Sequence, residues 1–202
     1  MRSWRDLRRI ASGNAAVDRC RRVTPAIDVR LLSSSDVERQ IDALAALLLE
    51  AVNGGEWLAM VPPLTGQRAR DYWLALRPEL DSGARVLLAG YRSGRMVGSG
   101  QLSLPGARHA RHRAFVEKLI VAGSYRGQGI GRQLMAALSR AAVDSGRSLI
   151  VLYTRAAAPS VHFYRSLGYR TAGVVPGYSQ AATGEAHDIM TLYRQFGSGR
   201  AN

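Results

Sequence analysis

Residues 112–146 constrain the fold most. An apolar run from Val116 to Val121 meets Ser124-Tyr125-Arg126-Gly127-Gln128-Gly129-Ile130-Gly131, and a long pattern of helical spacing marked by Leu134, Leu138 and Ala141-Ala142 follows it to Gly146. The order is strand, glycine-rich loop, helix. Arg126, Gly129 and Gly131 stand as Arg-x-x-Gly-x-Gly, and such glycines let backbone amides turn inward around an anion. The positive end of the following helix adds to that attraction. The loop is therefore expected to bind phosphate, as glycine-rich turns before helices do for several classes of nucleotide ligand. Two of those classes are rejected. No Gly-Lys-Ser/Thr of a nucleotide P-loop occurs, and the alternating Gly127, Gly129 and Gly131 do not give the Gly-x-Gly-x-x-Gly of a dinucleotide fold.

The rest of the chain supplies one core. Its 202 residues suit a single domain, and the longest apolar runs, such as Ala43 to Leu49, are too short to span a bilayer. Cys20 is the only cysteine, which excludes an internal disulfide and a cysteine zinc site, and fits a reducing, cytoplasmic setting. The net charge is +13, carried almost wholly by arginine, with Lys118 the only lysine. Because the arginines are scattered, the charge favours anionic ligands over a dedicated nucleic-acid face. Residues 1–24 hold seven arginines against Asp6 and Asp18 and read as a mobile basic extension; a transit peptide or an over-long gene start would give the same composition.

Taken in order, Ala26 to Leu32 reads as a strand. Ser33 to Asp36 cap a helix running to about Val52, and Thr65 or Gly66 opens a second one that stops near Asp81. A hairpin (Arg85 to Tyr91, Met96 to Leu104) precedes the central strand, where alternation puts Glu117, Leu119 and Val121 on one face and Val116, Lys118 and Ile120 on the other. Ser148 to Thr154 is a buried strand, Ser160 to Leu167 a short helix closed by Gly168, and Thr171 to Val175 and His187 to Arg194 are the last strands. The sum is β-α-α-β-β-β-α-β-α-β-β, an α/β (α+β) chain with a mixed central sheet of about seven strands.

That order, the loop, and Ser160-Val161-His162-Phe163-Tyr164-Arg165-Ser166-Leu167-Gly168-Tyr169 together resemble the GCN5-related N-acetyltransferases (GNAT), over residues 25–195, with 196–202 left as a tail. The resemblance implies acetyl-coenzyme A as cosubstrate and transfer of its acetyl group to a primary amine by direct attack. It implies pantetheine contacts from the backbone of Leu119, Ile120 and Val121, and phosphate contacts from Arg126, Gly127, Gln128, Gly129, Ile130, Gly131 and Arg132. It further implies that Ser160 and Phe163 border the coenzyme and that Tyr164 protonates the leaving thiolate, a role that suits a positioned phenol, although an aromatic merely packed beneath the coenzyme would look the same in sequence. Glu117 is the candidate base, although a salt-bridged strand carboxylate would look the same in sequence.

Three further segments resemble the tabtoxin-resistance acetyltransferases, which act on a small amino-bearing metabolite or toxin: Glu50 to Gly55, His112 to Val121, and Val175 to Tyr178 with Gly184 and His187. In that pattern a glutamate is usual at Phe115 and an aspartate at Tyr153. The acceptor is expected to be a small-molecule amine (a toxin, antibiotic or amino-acid-like metabolite); a protein amino group, or a coenzyme-binding module with weakened catalysis, are the alternatives. Pairing into a homodimer through the final strands is compatible with the resemblance, and no metal spacing occurs.

Overall fold

Turn and cap signals divide the chain into short elements that assemble as one sheet with helices on both faces. The computed structural model describes residues 26–197, so the basic extension with Cys20 lies outside it. In order, the elements are β1 (Asp28–Leu32), α1 (Ser34–Arg39), α2 (Ile41–Asn53), α3 (Gly66–Ala75), α4 (Arg77–Asp81), β2 (Arg85–Arg92), β3 (Arg95–Ser103) and β4 (Arg113–Val121). Then come α5 (Ile130–Asp144), β5 (Leu149–Arg155), α6 (Ser160–Ser166), β6 (Arg170–Gln180) and β7 (Ala186–Gln195). The strands lie in the order β1-β2-β3-β4-β5-β7-β6. β4 and β5 pair in parallel, while the other neighbours are antiparallel.

Each of the two expected early helices is divided. The first starts on a capping box between Ser33 and Asp36 and breaks at Gln40, whose φ of −116° and ψ of 19° leave the helical region. The second breaks at Leu76, because Pro78 lacks the N–H that would bond the Leu74 carbonyl. β6 runs past the expected Val175 to Gln180 through a register shift around Pro176, where the Gly177 amide donates to Asp188 Oδ1 (2.9 Å) instead of to the ladder.

The two sheet faces bury different partners. α2 and α3 pack with Leu87, Ala89 and Ile120 on one face, and α5 and α6 with Val86, Leu102, Val116, Ile150 and Leu152 on the other. Fully buried Trp73 ties α3 to α2 by donating Nε1–H to the Leu44 carbonyl (2.9 Å).

β4 departs from plain alternation. Gln101 of β3 pairs with Glu117, yet Ser99 pairs with Ile120, so one extra residue is accommodated at Lys118-Leu119, where Lys118 has φ +46°. This is a β-bulge, and it reverses the face of every residue beyond it. The expected grouping is corrected accordingly. Glu117 shares the α2–α3 side with Ile120, since it accepts there from Arg85, which also donates to Gln101, whereas Leu119 and Val121 pack with the α5 residues Ile130 and Leu134.

Trp73→Ala should lower unfolding free energy by about 3–5 kcal/mol, measured by urea denaturation, because it empties a buried site and removes the indole hydrogen bond to Leu44.

Candidate active site

The bulge has a second consequence, on the far edge of β4. Its parallel pairing with β5 covers only Arg113 to Phe115 against Leu149 to Val151. Beyond that point β5 continues on β7 alone, and the β4 backbone through Leu119, Ile120 and Val121 has no strand partner on the β5 side. Bulges bend and twist a strand, which parts it from a parallel neighbour. The result is a wedge between the two strands.

At the mouth of the wedge stands the glycine-rich loop. Gly127 and Gly129 take φ of +72° and +77°, the left-handed region that glycine enters without strain. Gly129 caps α5 with no side-chain hydrogen bond, so the first-turn amides of Ile130, Gly131 and Arg132 have no intrahelical acceptor. A side chain at Gly131 would bring a Cβ to 3.2 Å from the Phe163 ring, so glycine there lets α6 approach α5. Uncapped amides at the start of a long helix, beside an arginine, fit a polyanionic ligand such as a pyrophosphate.

Not every expected coenzyme contact is a free side chain. Gln128 accepts from Arg92 and donates to the Ser124 carbonyl (3.1 Å), Arg132 donates to Ser166 Oγ (3.0 Å), and Ser160 Oγ lies 2.7 Å from Thr154 Oγ1. These three brace the loop and α6. Arg126 donates Nε–H to the Val121 carbonyl (3.1 Å) and pairs through Nη1 with Glu56 Oε1 (2.8 Å), a residue that sequence reasoning did not single out. Glu56 follows α2 on the loop to α3, and nothing local in its sequence announces a contact 70 residues away.

Tyr164 lies on the inner side of α6, buried against Phe163 (ring centroids 5.2 Å) and Tyr169 (5.9 Å). Burial, then the neighbouring Tyr169 and Glu56, push its phenol well above the ordinary tyrosine value. Its hydroxyl makes no hydrogen bond to another described residue. Tyr164 is therefore a protonated phenol with an uncommitted O–H.

Glu117 belongs to a network that the sequence did not reveal. Arg85, 9% exposed at the side chain, donates to Glu117 Oε2 (2.8 Å), to Glu79 (2.9 Å) and to Gln101 Oε1 (2.8 Å), and Gln101 also meets the Tyr72 hydroxyl (3.2 Å). Burial opposes the Arg85 charge, but the two carboxylates outweigh it and raise its pKa. Burial likewise pushes Tyr72 up to about 12. Lys118 Nζ sits 5.4 Å from the Tyr72 ring centroid, and desolvation lowers its pKa. Glu117 itself is 37% exposed, with Oε1 uncommitted among the described residues.

The profile of the acetyltransferase (GNAT) family matches residues 53–169, a span that contains the wedge, the loop, α5 and α6. The chain belongs to that family. Solved structures of the same fold include a ribosomal-protein-alanine N-acetyltransferase from Brucella melitensis (23% identity, 83% of this chain and 99% of that one, TM-score 0.68). A protein provisionally named a phosphinothricin N-acetyltransferase matches at 20% identity, over 86% and 100% of the two chains, with TM-score 0.70. The Salmonella typhimurium protein yncA, solved with its cofactor acetyl-CoA, matches at 16% identity over 88% and 98%, with TM-score 0.69. The acetyl donor of this GNAT acetyltransferase is acetyl-CoA. Among the described residues of the acetyltransferase, no helix is long and apolar enough to cross a membrane.

Gly129→Glu should abolish acetyl-CoA binding in a calorimetric titration, since a carboxylate and a strained φ replace the cradle. Glu56→Gln should instead tighten binding about threefold by freeing Arg126; weaker binding would show that Glu56 orders the loop.

Proposed function

We propose that the chain transfers the acetyl group of acetyl-CoA to a primary amine of a small molecule by direct attack. The observation that supports this most is the position of Glu117. It stands on β4 two residues beyond the last parallel pair with β5, where the wedge begins, on a face that α1 to α4 leave partly open.

In this reading the uncapped amides of Ile130, Gly131 and Arg132, with Arg126, hold the pyrophosphate, and the β5-side edge of Leu119 to Val121, which has no strand partner, lies along the pantetheine arm. The bound donor supplies an activated thioester. Arg85 fixes one oxygen of Glu117, and the other accepts a proton from the acceptor amine directly or through water. The amine nitrogen forms its bond to the acetyl carbon as the carbon–sulfur bond breaks, and Tyr164 donates its phenolic proton to the sulfur. Water returns protons between the two side chains, so one proton has passed from nitrogen to sulfur overall. The high pKa of Tyr164 suits a donor that must stay protonated at neutral pH.

A small, anionic acceptor suits a chain with a net charge of +13 better than a cationic peptide does. The tabtoxin-resistance resemblance and the provisional phosphinothricin name of one structural relative point to small molecules too. The Brucella relative's name favours a second reading, a protein N-terminus as acceptor.

An amine panel assayed by release of free thiol tests the proposal. Glu117→Gln should lower kcat about a hundredfold and Tyr164→Phe about tenfold, each with little change in acetyl-CoA affinity. Unchanged rates would return both side chains to structural roles, and exclusive turnover of peptides would replace the small-molecule acceptor by the protein one.

A further inference from the structure

The sheet face beyond Glu117 carries a row of aromatic side chains, Phe115, Tyr153 and Tyr193. Phe115 and Glu117 face the same way, since their β3 partners Ser103 and Gln101 follow one another with no bulge between. Phe115 opposes Val151 across the parallel pair, which puts Tyr153 on the diagonal; the two rings lie 6.1 Å apart with planes 13° from parallel. Val151 in turn opposes Tyr193 of β7. This aromatic row is not covered: Tyr153 is 47% exposed, and Phe115, Val151 and Tyr193 are only half-buried, in contrast to Val116, Ile150 and Leu152 beneath α5.

Cations edge the row. The Arg113 guanidinium stands 5.5 Å from the Phe115 centroid and that of Arg170 5.9 Å from the Tyr193 centroid. Among the described residues neither is in an ion pair, and Arg113 Nε is buried with no hydrogen-bond partner. Along β4 the order is therefore a cation at Arg113, a flat apolar platform at Phe115, and a carboxylate at Glu117 beside the wedge, spread over about 13 Å of strand. Each part has a complementary chemical group: an anion, a planar ring and an amine.

Resting on the amine-acetyltransferase reading, we propose that the acceptor is an anionic aromatic amine, whose ring lies on Phe115 and Tyr153, whose negative group meets Arg113, and whose amine is aimed at Glu117. The covalent step is unchanged: a nitrogen–carbon bond forms, the carbon–sulfur bond breaks, and a proton passes from nitrogen to sulfur.

Three probes separate the elements of this site: 4-(aminomethyl)benzoate, its ring-saturated analogue trans-4-(aminomethyl)cyclohexanecarboxylate, and uncharged-tail benzylamine. Each is titrated calorimetrically into the full chain with saturating coenzyme A, and each is assayed for acetylation. The benzoate should bind about fivefold more tightly than the saturated analogue and about tenfold more tightly than benzylamine. Phe115→Leu should erase the first preference and Arg113→Gln the second. Equal binding of all three by the unaltered chain overturns the proposal, whatever the variants do. Selective binding without acetylation keeps the aromatic site and overturns the acetyltransferase reading on which it rests. Acetylation of aliphatic amines with no ring preference keeps that reading and overturns the aromatic site. A dimer that Tyr153→Asp dissociates would assign the face to a second copy of the chain and overturn the proposal as well.

Discussion

One extra residue in β4 governs the site. The bulge at Lys118-Leu119 keeps β4 paired to β3 on both sides of it while turning the strand away from β5 after only three parallel pairs. Because the bulge also reverses the inside–outside order, Glu117 and Ile120 look toward α2 and α3 while Leu119 and Val121 anchor α5. In the proposed reading, donor binding and acceptor chemistry fall on two sides of this single distorted strand.

The loop at the end of β4 completes the donor side. Its conformation costs little because glycine occupies the left-handed positions, and three α5 amides are left for an anion because no side chain caps that helix. Arg126 pairs with Glu56, and in the proposed reading a coenzyme phosphate competes with that carboxylate for the guanidinium. On the α2–α3 side of the sheet Arg85 is the organising charge. Nearly buried, it gathers Glu79, Gln101 and Glu117 into one network and fixes where the Glu117 carboxylate stands.

Local signals made most of the fold legible in the sequence. The Ser33 to Asp36 cap, the Arg92 to Arg95 turn, the Arg126 to Gly131 loop and the apolar periodicities each depend on neighbours within a few residues, and the strand order follows from them together with the family resemblance. What was not legible depends on distant contacts. Lysine gives no local hint of a positive φ, so simple alternation hides the bulge at Lys118 and assigns the residues beyond it to the opposite faces. Arg85 and Glu117 are 32 residues apart and meet only through the β2–β3–β4 pairing. Tyr164 was legible as part of a motif; its burial and uncommitted hydroxyl come from packing against Phe163 and Tyr169.

In the proposed site the parted β4 edge and the α5 amides together receive acetyl-CoA. Amide hydrogen exchange with and without acetyl-CoA measures this on the backbone groups themselves. Strong new protection is expected at residues 119–121 and 127–132, with the β2–β3 ladder unchanged. Protection confined to other segments, or none at saturating acetyl-CoA, would contradict it.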